Sequence, residues 1–251
     1  MATWTPAALS SEAKRLAGTC WRVVEAQHVV STMALVDTLD EQLVLEQLID
    51  ASKPAVPPPC RGLHYLLSTP FRYGAAHPGG SRFRRAGLTP GVFYASVLTA
   101  TAVAEMAFRR LLFYAESPAT PWPVNASEYT AFAVRFKTQK GLDLSRAPFD
   151  RRAARWTDPI DYAPCQALAE AARGAGVQAL RYQSARAAGA NVALLTCTAF
   201  ASRKPTQRQA WRLHVGAMGA RAICDFPEQR LGFDRRAFAG DPRIAALRWE
   251  R

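Results

Sequence analysis

Residues 70–110, PFRYGAAHPGGSRFRRAGLTPGVFYASVLTATAVAEMAFRR, gather most of the side chains whose types and spacing could do chemistry. Arg72 and Arg82 lie among aromatics and glycines. A guanidinium there can fork onto phosphate oxygens, and glycine lets a ligand approach the backbone. Tyr94 falls in the strand-like run GVFYAS. Glu105 interrupts the apolar helical run AVAEMAF, where a buried carboxylate is costly unless it is paired or opens into a cleft. Downstream, Ser184 follows Tyr182 and precedes Arg186 and a glycine-containing turn.

Each of these residues also has a plain structural reading. Glu105 could pair with Arg109 at i+4, worth about 0.2–0.5 kcal/mol. Tyr94 could be an ordinary strand aromatic, and Ser184 a turn hydroxyl. Arg82, Arg84 and Arg85 could form a solvated basic turn, the reading we adopt for Arg84 and Arg85.

Other chemistries lack their motifs. There is no GxGxxG, no GxxxxGK[ST] and no GxSxG, so neither a dinucleotide fold of the Rossmann type, a P-loop nor a serine-hydrolase elbow is indicated. The histidines (His28, His64, His77, His214) form no HxxxH or HExxH pattern, and the cysteines (Cys20, Cys60, Cys165, Cys197, Cys224) form no CxxC pair. We therefore expect no metal site and no disulfide framework, the cysteines being small buried side chains.

Several elements must position these residues. Residues 6–17 read as a helix capped by Thr5 and ended by Gly18, and residues 20–26 as a short strand. Thr38 and Glu41 form a capping box ahead of a helix with Leu43, Leu45, Leu48 and Ile49 on its apolar face. KPAVPPP (53–59) is an extended connector. HYLLSTPFRY (64–73) reads as strand then turn, and HPGG (77–80) as an irregular loop. GVFYAS (91–96) is a strand, and a helix runs from Thr99 to about Glu116. Further strands fall at 129–137, 177–186 and 191–197, with a helix at 161–173. A hairpin spans 209–215 and 220–226 around Gly216 and Gly219. Strands and helices mix without regular βαβ alternation, which points to an α+β fold.

The chain has 251 residues and a formal net charge of +12. It can bury a sizeable core, and no stretch is apolar for long enough to cross a membrane. The N-terminus lacks a secretory signal pattern, so the expected location is cytoplasmic. The positive charge favours anionic partners and admits a second reading, a basic nucleic-acid-binding regulator. The arginines are spread along the chain, however, and no nucleic-acid-binding motif accompanies them.

Taken together, HYLLSTPFRY, GGSRFRRAG, GVFYAS, TAVAEMAFRR and LRYQSARAAGANVALL resemble the RES domain family, with CWRVVEAQ and EQLVLEQLIDASKP resembling the N-terminal part of its longer members. The resemblance covers roughly residues 19–200, and departs from the commoner GGRWNPxG form in reading GGSRFRRAG. It implies one domain with an ADP-ribosyltransferase-like mixed β-sheet core and surrounding helices: an N-terminal extension over 1–58, a catalytic core over 59–226 and a C-terminal tail over 227–251. It implies a toxin that consumes NAD as substrate, breaking the nicotinamide–ribose bond and passing ADP-ribose to water, phosphate or a protein acceptor. The implied partner is an Xre-type antitoxin covering the site, with no direct nucleic-acid or membrane contact and with self-association left open. A degenerate member would only bind a partner. The family positions fall on Arg82, Tyr94, Glu105 and Ser184, and on an upstream arginine that is Arg72 or Arg22, with Arg72 preferred. In that reading Glu105 stabilises the positive charge that builds on the ribose, Arg82 and Arg72 hold the pyrophosphate, and Tyr94 stacks on the nicotinamide ring. Ser184 orients a ribose hydroxyl or the carboxamide.

Overall fold

The computed structural model describes residues 4–26, 35–73, 79–87 and 89–250. Its axis is a 17-residue strand, β3 (Ser127–Asp143), which alternates buried and exposed side chains over much of its length. β1 (Lys14–Glu25) runs antiparallel along one edge, from Lys14 opposite Gly141 to Glu25 opposite Tyr129. The other edge is shared. β6 (Gln207–Gly216) pairs antiparallel with the first half of β3, and β4 (Ala179–Gln183) pairs parallel with Gly141–Asp143.

β5 (Ala190–Leu194) lies antiparallel between β4 and β2 (Phe93–Ser96), and β2 returns to β1 through Trp21 opposite Ser96. The pairings β1–β2–β5–β4–β3–β1 thus close a circuit. β7 (Gly219–Cys224) and β8 (Gln229–Phe233) extend the sheet outward from β6. The architecture is mixed α+β, as the sequence pattern indicates.

Helices flank this sheet, and the second of them leaves Leu43 and Leu48, expected on an apolar face, exposed. α1 is Pro6–Glu12, capped by Thr5; α2 is Leu39–Ala51, with the Thr38–Glu41 capping box formed. α3 is Tyr65–Arg72 and α4 is Thr99–Glu116. α5 is Ala153–Thr157, α6 is Ala163–Gly174 and α7 is Pro242–Ala245. α4 buries Val103, Ala107 and Leu111 against Tyr129, Trp211 and Leu213, joined by Phe238 and Leu247 from the C-terminal segment. α6 packs Leu168 and Ala172 with Leu9, Leu142 and Leu180. α3 sets Leu67 and Phe71 against Phe93, Phe132 and Leu194.

Some expected elements are different. The first helix stops at Glu12, and Lys14 opens β1; Gly18 ends no helix but sits mid-strand opposite Phe136. Local propensity over 13–17 favours helix, but β3 is long enough to pair with the whole segment and that pairing wins. Residues 64–73 form α3 in place of a strand, with the His64 ring accepting the Leu66 amide as N-cap. Its burial is helical in period, with Leu66, Leu67 and Phe71 turned inward. The 227–251 tail is partly built into the sheet, since β8 pairs with β7. In the HPGG loop, His77 and Pro78 lie outside the described residues.

The cysteine expectation is also corrected. Cys60 and Cys197 form a disulfide, while Cys20, Cys165 and Cys224 are free and buried. The pair lies on two short 3-10 turns, Pro58–Cys60 and Cys197–Ala199, which the fold brings together across a sequence separation of 137. No local spacing rule can anticipate such a contact.

Gly91 sits where α3 meets the strand carrying Tyr94. A Cβ there would lie 1.9 Å from the Pro70 carbonyl oxygen. Gly91→Ala is therefore expected to cost about 1–3 kcal/mol, lowering the melting temperature by about 2–4 °C for each kcal/mol. A thermal melt identical to wild type would show that α3 does not press on β2 in this way.

Candidate functional site

Glu105 is the centre of the site. Thr101 and Glu105 stand one helical turn apart on α4 and both grip the β4–β5 hairpin. Thr101 Oγ1 donates to the Ala188 carbonyl at 2.7 Å. Ser184 Oγ donates to Glu105 Oε1 at 2.7 Å, and Asn191 Nδ2 donates to the same oxygen at 2.7 Å.

The donors are themselves fixed. Ser184 Oγ accepts the Arg186 and Ala187 amides, each at 3.1 Å. Ser96 Oγ donates to Asn191 Oδ1 at 2.6 Å, which orients the amide so that its NH2 faces the carboxylate. Gly189 closes the hairpin turn at φ 105°, where a side chain would be strained and would meet Thr101. Oε2 of Glu105 has no hydrogen-bond partner among the described residues. One carboxylate oxygen is thus anchored and the other presented. The i+4 pairing with Arg109 is absent among the described ion pairs.

Glu105 opens into a cavity of about 690 Å³. Among the described residues its lining includes six arginines (Arg22, Arg82, Arg84, Arg109, Arg186 and Arg243) and a single carboxylate, that of Glu105. Aromatic side chains, including Tyr94, Tyr162 and Tyr182, complete the wall. The lining suits an anionic ligand with ring systems.

Arg82 donates to the Trp156 carbonyl at 2.8 Å and the Asp158 carbonyl at 2.9 Å, and lies over the Tyr162 ring at 4.8 Å. Tyr94 spends its hydroxyl on the arginine loop: it accepts the Phe83 amide at 2.9 Å and bonds Ser81 Oγ at 2.9 Å. Burial pushes the Tyr94 phenol up, with the Ser81 and Phe83 bonds opposing, so it stays protonated at neutral pH. Tyr182 is pushed up further, by burial first and then by the Glu105 charge.

The structure places the two candidates for the upstream arginine differently. Arg72 ends α3 facing away from the cavity, where its guanidinium bonds Asp50 Oδ1 at 2.8 Å and the Asp50 carbonyl at 3.1 Å, and also binds the Pro54 carbonyl. Arg22, on β1, lines the cavity instead. It donates to the Tyr94 carbonyl at 3.1 Å and lies 5.1 Å from the Phe93 ring centroid. Burial, then the neighbouring Arg109 charge, pushes Arg22 down to about 10. It stays charged at neutral pH but lacks a carboxylate partner among the described residues. Arg84 is not a solvated turn residue, since its guanidinium binds the Thr89 and Tyr73 carbonyls at 2.9 Å. Arg85 does pair at the surface, with Glu170.

Asn191, Ser96, Arg186 and Arg243 were not singled out as site residues from sequence. The first two left a faint signal, a polar residue at the start of the apolar run NVALL and at the end of GVFYAS. The Arg186 side chain is 5 % exposed and pairs with the fully buried Asp241 carboxylate at 2.9 Å, its guanidinium 3.8 Å from the Phe108 ring centroid. Among the described residues, no group of three or more His, Cys, Asp or Glu is placed to hold a metal ion.

The fold and site define an α+β chain built around one anchored carboxylate in an arginine-rich cavity. The RES domain family model matches residues 56–216, and the chain belongs to that family. The matched span includes Arg72, Arg82, Tyr94, Glu105, Ser184 and Asn191, and leaves out Arg22, Asp241 and Arg243. The curated protein sequences give no match. Among solved structures, the chain is similar to one chain in the crystal structure of the M. tuberculosis MbcT–MbcA toxin–antitoxin complex. That similarity has 14 % identity and a TM-score of 0.47, covering 82 % of this chain and 92 % of that one.

Two outcomes follow from the geometry. In a double-mutant cycle of Asn191→Ala with Glu105→Ala, read from denaturant unfolding, the coupling is expected to be about 1.5–3 kcal/mol, as for a hydrogen bond to a charged group. Zero coupling would place the two side chains out of contact. The second concerns Asp241. Burial raises its carboxyl, but the hydrogen bonds from Arg243 and the charge of Arg186 outweigh that and hold it below its ordinary value. The lowered value gives stability that is full above the unfolded pKa of about 3.9 and lost as pH falls through the folded one. Wild type should therefore lead Asp241→Asn in stability at neutral pH and lose that lead progressively at lower pH. An advantage independent of pH would contradict the ion pair.

Proposed function

We propose that this RES-domain chain is an NAD-consuming toxin that cleaves the nicotinamide–ribose bond. The single observation that carries the reading is Glu105, held at Oε1 by two neutral donors and presenting Oε2 to an arginine-rich cavity. Cleavage breaks the bond from ribose C1′ to the pyridinium nitrogen. The bonding electrons leave with neutral nicotinamide, and positive charge builds on the ribose. A preorganised carboxylate facing that charge stabilises it. The acceptor, which is water, phosphate or a protein nucleophile, then bonds to C1′ and gives up its proton.

Arg82 and Arg22 take the roles of pyrophosphate ligands in this reading, with Arg22 replacing Arg72. Tyr94 contributes its ring face to the nicotinamide, its hydroxyl being engaged with the loop that carries Arg82. Ser184, engaged with Glu105, acts first as the carboxylate's positioning group. Family membership supports the biological setting, a toxin neutralised in the cytoplasm by an Xre-type antitoxin that covers the cavity. No helix among the described residues is long and apolar enough to cross a membrane. The nucleic-acid reading is weakened because so many arginines face one cavity with a carboxylate inside it.

Purified, antitoxin-free protein incubated with NAD is expected to release nicotinamide, and Glu105→Gln to lower the rate by about a hundredfold or more while keeping its fold. Absence of release from folded wild type, with phosphate and cell extract supplied as acceptors, would overturn the reading. Full activity in Glu105→Gln would remove the carboxylate from the mechanism.

A further inference from the structure

Three arginines of the cavity converge on one short turn. Arg82 donates to the carbonyls of Trp156 and Asp158, Arg186 to the Pro159 carbonyl at 2.9 Å, and Arg243 to the same carbonyl at 3.3 Å. Backbone carbonyls satisfy hydrogen bonds without cancelling charge. The Asp158 carboxylate is turned to the Ile160 and Asp161 amides at 2.8 and 2.7 Å. Among the described residues, Asp241 is the one carboxylate that pairs closely with the cluster: its Oδ2 lies 2.9 Å from Arg186 Nη2 and 2.7 Å from Arg243 Nη2. Glu116, an exposed side chain, reaches Arg243 only at 4.0 Å. The cluster keeps an excess of positive charge, and its guanidiniums are ordered before any ligand arrives, which removes much of the entropic cost of gripping one.

Resting on the dinucleotide reading above, we infer that Arg186 and Arg243 join Arg82 and Arg22 around the pyrophosphate, in a subsite completed by the C-terminal segment. Arg243 contacts the phosphates, and Asp241 is a positioning residue that sets both Arg186 and Arg243. This segment lies outside residues 56–216, the span that matches the family model. It is tied into the body by Asp241, which is fully buried, and by Ile244 and Leu247 in the α4 core.

The test is calorimetric titration of inorganic pyrophosphate, at low salt and without divalent metal, into wild type, Arg243→Ala, Arg243→Lys, Asp241→Asn and Arg221→Ala, the last an exposed arginine on β7. Arg243→Ala should weaken binding about tenfold, with partial recovery in Arg243→Lys, and Arg221→Ala should bind as wild type does. Asp241→Asn discriminates sharply. Removing a negative charge beside the subsite should tighten anion binding if only net charge matters, and weaken it if Asp241 positions the arginines. Equal affinity in wild type and Arg243→Ala, an equal loss in Arg221→Ala, no binding to folded wild type, or tighter binding in Asp241→Asn would overturn the assignment. If Asp241→Asn fails to fold, the Arg243 pair decides alone. In nicotinamide release, Arg243→Ala should raise KM about tenfold and leave kcat within about threefold. Pyrophosphate binding that depends on Arg243 without nicotinamide release would keep the subsite and refute the NAD reading. Release indifferent to Arg243 would do the reverse.

Discussion

The site depends on a carboxylate held by neutral donors. Ser184 and Asn191 fix Glu105 at one oxygen without contributing a charge. A cation in their place would hold the group as firmly but cancel much of the field that makes it useful. Neutral hydrogen bonds to an ion stabilise geometry while leaving the net charge in place. That arrangement explains why Glu105 tolerates the apolar surface of α4, and why the nearby arginines satisfy themselves elsewhere.

Elsewhere largely means backbone carbonyls. Arg22 uses Tyr94, Arg82 uses Trp156 and Asp158, Arg84 uses Thr89 and Tyr73, and Arg186 and Arg243 use Pro159. Arg186 and Arg243 also share the Asp241 carboxylate, but Arg22 has no such partner among the described residues, and burial lowers its value accordingly. A carbonyl supplies direction and satisfies the donor, but leaves the cavity positive. The unfavourable electrostatics are then relieved by whatever anion binds, and binding to the folded state alone stabilises it by mass action.

The sequence made the local chemistry legible and the long-range geometry only in part. Glu105 stood out because an acid in AVAEMAF demands a partner or a cleft, although spacing alone suggested Arg109 and the fold supplies Ser184 and Asn191. The sequence favours Arg72 over Arg22, but where each guanidinium lies depends on which way the end of α3 points and on β1 pairing beside β2. Residues 14–18 and 64–73 were misread for opposite reasons. In the first, a long neighbouring strand overrode helix-favouring residues. In the second, a short apolar run fits strand and helix equally until its burial period is known. The Cys60–Cys197 bond and the Asp241–Arg186 pair join segments remote in sequence, and nothing local marks either.

The closed circuit of strands accounts for how so dispersed a set of residues meets. β1 brings Arg22 to the Tyr94 carbonyl, β5 brings Asn191 to Glu105, the β4 turn brings Ser184 to the same oxygen, and the segment after β8 brings Asp241 against Arg186. Each arrives from a different stretch of chain, and each is pinned through the shared β3 axis or through α4. A site assembled this way has no independently folded part. Local opening at β1, at the β4–β5 hairpin or at the C-terminal segment would remove a different contact but spoil the same constellation. The anchored carboxylate is therefore as much a product of the sheet's closure as of the residues that touch it.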